Sequence, residues 1–346
     1  MKAPISALGI AVLFTAGCAG QPETPAEQAP VSEEAPAETR TIVATTTILG
    51  SVAQQIAQCA GNTEVEVLMP LGVDPHDYQP SSAQLAAVAD AGFVVANGLF
   101  LEESLVEPLE DLEAGGGTVF RMATLINPLP FGAHDSAEDN SAEKSDDSHD
   151  HGNDHGDDHG DEQAEDHDHD HGSDDPHFWM DMNRVATGTE ALGEELGAQY
   201  GPEFSVCGEQ VADAIRSAEQ EMIDILDAIP EERRILVTDH DALGYFADRY
   251  GFDVAGVVIP GGSTLAEASS QDLAELVERI EALGLKAMFG NFHAPSDLLE
   301  AVAEESGGID VVPLYIGSIG QPGSEQESYQ EMMLYDARQI AQALGN

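Results

Sequence analysis

Thr41-Ile42-Val43-Ala44-Thr45-Thr46-Thr47-Ile48-Leu49 is mostly β-branched. A run of this kind reads as a strand buried on both faces of a parallel sheet. Gly50-Ser51 then opens a helix through about Gln58, and Glu64 to Met69 forms a second strand with alternating apolar positions. From here strand and helix alternate. A helix from Ser81 to about Ala89 precedes the strand Phe93–Gly98, and a helix near Leu105–Leu112 precedes the strand Thr118–Met122. Such alternation implies parallel pairing with helices on both faces of the sheet.

The second half repeats the pattern. Strands are expected at Ile235–Thr238, Val254–Ile259, Ala287–Phe292 and Ile309–Tyr315. Helices are expected at Ala242–Tyr250, Gln271–Leu283, Ser296–Glu305 and Tyr329–Leu344. Between the halves, a helix Val185–Tyr200 is followed by a longer one from Pro202 to about Leu226. Val211, Ile215, Ala218, Met222 and Ile225 share one of its faces, and Pro230 ends it. The expected fold is α/β: two lobes, each a mostly parallel sheet flanked by helices, joined by one long rigid helix with a cleft between them. The expected boundaries are 41–200 for the first lobe, 201–230 for the linking helix and 231–346 for the second lobe.

With 12 Lys and Arg against 65 Asp and Glu, the formal charge is −53, which argues against nucleic acid or an anionic membrane surface as partner. Residues 1–18 carry a short basic start, an apolar run from Ile5 to Phe14, and then Thr15-Ala16-Gly17-Cys18. This layout reads as an export signal, too short for a lasting membrane span. The small residues before Cys18 resemble a bacterial lipoprotein processing box, with Thr15 where Leu is usual. Cys18 would then be the lipidated residue, and 19–40, rich in Pro, Glu and Ala, a flexible tether. Export would place Cys59 and Cys207 where disulfides persist, so they either form a bridge or remain two buried thiols.

Nine of the twelve histidines lie between His134 and His177. Most belong to an acidic, glycine-rich tract within 132–175 that includes His149, His151, His155, His159, His167, His169 and His171. A composition of this kind cannot bury a core, and its neutral imidazoles and charged carboxylates suit weak capture of several metal ions. The other candidates sit in segments that read as folded. His76 lies in a loop after the second strand, His240 closely follows the strand Ile235–Thr238, and His177 follows the acidic tract. In an open α/β sheet ligands gather outside the carboxyl ends of the strands. Three imidazoles, alone or with one oxygen, suit tetrahedral zinc. Asp74, Asp77, Asp181, Asp239 and Asp241 are candidates to hold the imidazole tautomers or to cap turns. Trp179 and Tyr245 read as packing residues.

Three segments carry a resemblance: Asp74-Pro75-His76-Asp77-Tyr78-Gln79-Pro80, Asp175-Pro176-His177-Phe178-Trp179-Met180-Asp181 and His240-Asp241-Ala242-Leu243-Gly244-Tyr245-Phe246. Together they resemble the zinc/manganese substrate-binding proteins of bacterial ABC importers, the zinc-uptake lipoproteins in particular. The likeness extends from Thr41 to the helix start Ser328–Met333. It implies two lobes, one divalent metal bound between them by His76, His177 and His240, and delivery to a permease in the cytoplasmic membrane. His240, where manganese members typically place Glu, favours Zn²⁺ over Mn²⁺. The chain departs from the family in Tyr315-Ile316-Gly317-Ser318-Ile319-Gly320, where Gly317 stands in place of an Asp ligand. Water, the His-rich tract or His293 could then supply a fourth ligand. The implied protein is a monomeric, non-enzymatic carrier. A zinc hydrolase with an open metal position, or a surface adhesin, is the alternative.

Overall fold

The computed structural model describes residues 40–132, 174–261 and 264–345. Cys18 and the histidines from His149 to His171 lie outside them.

The first strand is shorter than its β-branched composition predicts. Strand β1 spans Arg40–Ala44, and helix α1 begins at Thr47 and runs Thr47–Ala60. Capping explains the difference. The Thr46 backbone is extended, and its hydroxyl accepts the Leu49 N–H at 3.2 Å. This satisfies a helix donor that a continued strand would have spent on a neighbour. Ile48, Val52 and Ile56 then recur at helical spacing on the buried side.

Strand β2 (Thr63–Val67), helix α2 (Ser82–Asp90), strand β3 (Phe93–Ala96), helix α3 (Val106–Ala114) and strand β4 (Thr118–Arg121) complete a parallel sheet of order β2-β1-β3-β4. A hairpin of long helices follows, α4 (Met182–Tyr200) and α5 (Glu203–Leu226). Gly201, at φ +141°, turns the chain between them. Helix α4 starts three residues before the expected Val185 because Asp181 caps it, accepting the N–H groups of Asn183 and Arg184.

Strand β5 (Ile235–His240), helix α6 (Gly244–Tyr250), strand β6 (Asp253–Ile259), helix α7 (Ser270–Leu283), strand β7 (Ala287–Asn291), helix α8 (Asp297–Glu305) and strand β8 (Asp310–Leu314) form the second sheet. It is also parallel, with order β6-β5-β7-β8, and helix α9 (Tyr329–Leu344) closes the chain. Two readings shift here. His240 is the last residue of β5 and does not follow it. Helix α6 begins at Gly244 because residues 241–243 form a turn in which the Ala242 N–H bonds the His240 carbonyl.

The two sheets belong to one compact unit. Their strands alternate faces as a pleat requires. Ile42, Ala44, Phe93 and Val95 point into a central core that also holds Leu236, Ala287 and Phe289 of the second sheet, with α4, α5 and α9 between them. Val43, Val94 and Ala96 face an outer core under α2 and α3, and Val237 and Met288 face its counterpart under α7 and α8. Helix α5, about 36 Å long at 1.5 Å per residue, packs on α1, α4 and α9. Cys207 on α5 is bonded to Cys59 on α1, with Cα atoms 5.7 Å apart.

Candidate metal centre

In each sheet the chain leaves the middle pair, β1–β3 and β5–β7, in opposite directions. These are the switch points beside which an open α/β sheet has room for a ligand. His240 ends β5 at one of them. His76 lies in the loop after β2, and His177 arrives on the chain leading into α4. The ligand-type atoms of the three side chains all lie within 4.8 Å of one another. All three are buried, with His76 6%, His177 1% and His240 3% exposed.

Two of the three rings are held from behind. Asp175 Oδ1 accepts both the His177 backbone N–H at 2.8 Å and the His177 Nδ1–H at 2.7 Å. Asp239 Oδ1 does the same for His240, at 2.9 Å to each nitrogen, while its Oδ2 accepts the Asn291 N–H at 3.0 Å. Protonation at Nδ1 leaves the Nε2 lone pair free to coordinate. His76 is fixed through its backbone, whose N–H donates to Asp74 Oδ1 at 3.0 Å, and Asp74 Oδ2 accepts the Thr264 hydroxyl at 2.6 Å. His76 Nε2 and His177 Nε2 are 3.1 Å apart. Two imidazoles on a tetrahedral ion at Zn–N of about 2.0–2.1 Å would hold their nitrogens about 3.3 Å apart, so the pair needs little movement to share one.

A void of about 10 Å³ lies at the centre, walled by Asp74, His76, His177, His240, Asn291 and Gly317, with Pro75, Trp179 and Ile316 behind. It is the size of one ion or one water. Burial, with the neighbouring His177 and His240, drives the His76 imidazole down to about 3, and burial holds His177 well below the ordinary value. Both are therefore neutral donors at neutral pH. Burial also opposes charge on His240, but the hydrogen bond and charge of Asp239, with Asp74 and Asp241, outweigh it and raise the group.

Of the five expected carboxylates, Asp239 holds an imidazole and Asp74 holds the backbone of His76. Asp241 acts on His240 through its charge. Asp77 is exposed, and Asp181 caps α4 and pairs with Arg184 and Arg249. Sequence reasoning missed Asp175. The signal was the repeated Asp-Pro-His, in which a carboxylate accepts the N–H two residues on. It also missed Asn291 and the polar roles of two aromatics. The Tyr245 hydroxyl donates to the Asp175 carbonyl at 2.8 Å. The Trp179 indole N–H donates to the Ile316 carbonyl at 2.8 Å, and its ring lies edge-on to His177 at 5.2 Å. His293 does not line the void. Its ring packs against Gly72 and Tyr315.

Architecture and site together define a two-lobed α/β metal-binding protein. The family model of ZnuA, the periplasmic component A of the zinc-uptake complex, matches residues 42–343, and the chain belongs to this family of extracytoplasmic substrate-binding components of metal ABC importers. The manganese-binding lipoprotein MntA of Halalkalibacterium halodurans is 27% identical over 94% of this chain and 93% of its own length. The zinc-binding protein TroA of Treponema pallidum is 27% identical over 90% of this chain and 92% of its own length. The solved structure of TroA superposes with a TM-score of 0.72, at 25% identity, covering 89% of this chain and all of that one.

Proposed function

We propose that this chain captures Zn²⁺ outside the cytoplasmic membrane with His76, His177 and His240 and hands it to an ABC permease. The observation that carries the reading is the convergence of three buried imidazoles, with Asp175 and Asp239 holding the Nδ1–H of His177 and His240. Neutral nitrogen donors favour zinc, whereas manganese prefers oxygen. The MntA relative supports manganese as the second reading. Competition titrations with a chromophoric chelator separate the two. The expected outcome is one tight Zn²⁺ site with Mn²⁺ weaker by two orders of magnitude or more, lost in His177→Ala. Equal or tighter Mn²⁺ binding discards the zinc assignment. Turnover of ester or phosphate substrates, abolished by the same variant, would favour a hydrolase.

Cys18 is the proposed acylation site, which mass spectrometry of the membrane fraction tests. The His-rich tract is proposed to collect metal weakly and to be separate from the tight site. Its two ends meet in the structure, where Pro130 bridges Asp174 and the Asp175 N–H bonds the Leu129 carbonyl at 2.8 Å. Deleting residues 133–173 should therefore leave one tight zinc site by calorimetry and remove the weak ones. Loss of the tight site as well would refute that separation.

A further inference from the structure

Two residues in the turn after β3 carry backbone conformations that their side chains disfavour. Leu99 and Phe100 lie at φ +55° and +60°, directly after Gly98 at φ +89°. Three consecutive left-handed residues, two of them bulky, are strained and persist only where their surroundings hold them. The buried Glu102 does so. Its Oε1 accepts the Thr45 hydroxyl at 2.5 Å and the Asn97 N–H at 2.7 Å, and its Oε2 accepts the Gly98 N–H at 3.3 Å. Leu99 packs against the central core and Leu101 is buried in it, but Phe100 between them is 52% exposed. The core gains nothing from that ring, so the strain serves to present it to solvent, as strained turns at binding surfaces do.

Phe100 forms one wall of a cavity of about 340 Å³ beside β3, β4 and α3, lined further by Val106, Leu109, Glu110, Glu113 and Arg121. Its apolar part has room for one side chain of a partner. Arg121 donates from both Nη groups to Glu113, at 2.7 and 3.0 Å. The exposed Glu107 and Glu110, one turn apart on α3, therefore set the sign of the rim. A complementary partner carries Lys or Arg next to an apolar residue. The position also suits handover of the metal. Asn97 Nδ2 donates to the Pro176 carbonyl at 3.0 Å, so one side chain links the turn to the peptide that leads into His177. Leu125, 50% exposed, follows the neighbouring strand β4 at the same end of the sheet.

We propose that Phe100 and this acid-rimmed cavity form a docking surface for an extracytoplasmic loop of the ABC permease, one that offers an apolar side chain flanked by Lys or Arg. The inference rests on the importer reading above.

The test reconstitutes the cognate permease and its ATPase in liposomes and follows ATP-driven ⁶⁵Zn uptake from the zinc-loaded full chain. Phe100→Ser should raise the KM for the loaded chain about tenfold or more, as loss of an aromatic anchor does, with zinc affinity unchanged. Glu110→Lys should raise it as well. Val206→Ser, at an equally exposed position on α5, should leave it unchanged. Benzoylphenylalanine placed at 100 should photo-cross-link to the permease, and at 206 it should not. Wild-type KM in both Phe100→Ser and Glu110→Lys overturns the proposal. So does a cross-link from 100 that goes only to a second copy of the chain, or a loss of zinc affinity in Phe100→Ser, which would make the turn part of the metal site. If the wild type itself drives no uptake, the importer reading falls and the docking surface falls with it.

Discussion

At the residue scale the site is built by carboxylates behind imidazoles. Asp239 holds the His240 backbone N–H, the His240 Nδ1–H and the Asn291 N–H, and although burial alone would raise its carboxyl, those hydrogen bonds and the charge of His240 keep it low. Replacing it with Asn removes the charge that stabilises the donor, and Asp239→Asn should weaken zinc binding about 10–100-fold by calorimetry. Asp336 on α9 behaves in the opposite way. It is buried, its Oδ1 accepts the Tyr315 N–H at 2.9 Å, and burial raises its carboxyl to about 8. A raised carboxyl binds more protons folded than unfolded between about pH 4 and 8, so its contribution to stability falls as pH rises through that window. Asp336→Asn, which cannot ionise, should flatten that decline, and urea melts at pH 5 and pH 8 measure it. Asp77 and Asp239 look alike in sequence. Only the direction of each side chain in the fold separates an exposed loop acid from one that holds a buried imidazole.

At the element scale the helical hairpin is the tightest joint. A Cβ on Gly193 of α4 would lie 2.6 Å from Gly208 Cα on α5, so the two backbones touch. Gly193→Val should destabilise the chain by about 1–3 kcal/mol or more, read as a lower urea midpoint with an unchanged m-value. The Cys59–Cys207 bond ties α5 to α1 across 148 residues of chain. Losing it through the double Ser variant should cost about 2–5 kcal/mol, and reductant should have the same effect on the wild type. Helices and strands were largely legible because apolar spacing and Gly or Pro punctuation report local structure. The stretch Thr41–Leu49 misled because β-branched composition is blind to a threonine hydroxyl acting as a helix cap.

At the scale of the whole molecule, the lobes share one central core and are laced by polar contacts. Thr47 donates to Ser318 at 3.1 Å, the Tyr329 hydroxyl to the Trp179 carbonyl at 2.6 Å, and the Tyr329 N–H to Ser51 at 3.1 Å. Wide opening would break these together and expose apolar surface. Scattering profiles with and without Zn²⁺ should therefore differ by less than about 1 Å in radius of gyration, as for other pre-organised sites. A large expansion on metal removal would contradict this. Sequence by itself determined the alternation of strand and helix, the two sheets, the acidic character and three histidines worth bringing together, because periodicity and composition are local properties. Tertiary structure decided that the three rings meet in one void, and that Asp175 and Asn291 join them while His293 does not. Each of these depends on residues far apart in the chain that become neighbours only when the two sheets close on a shared core.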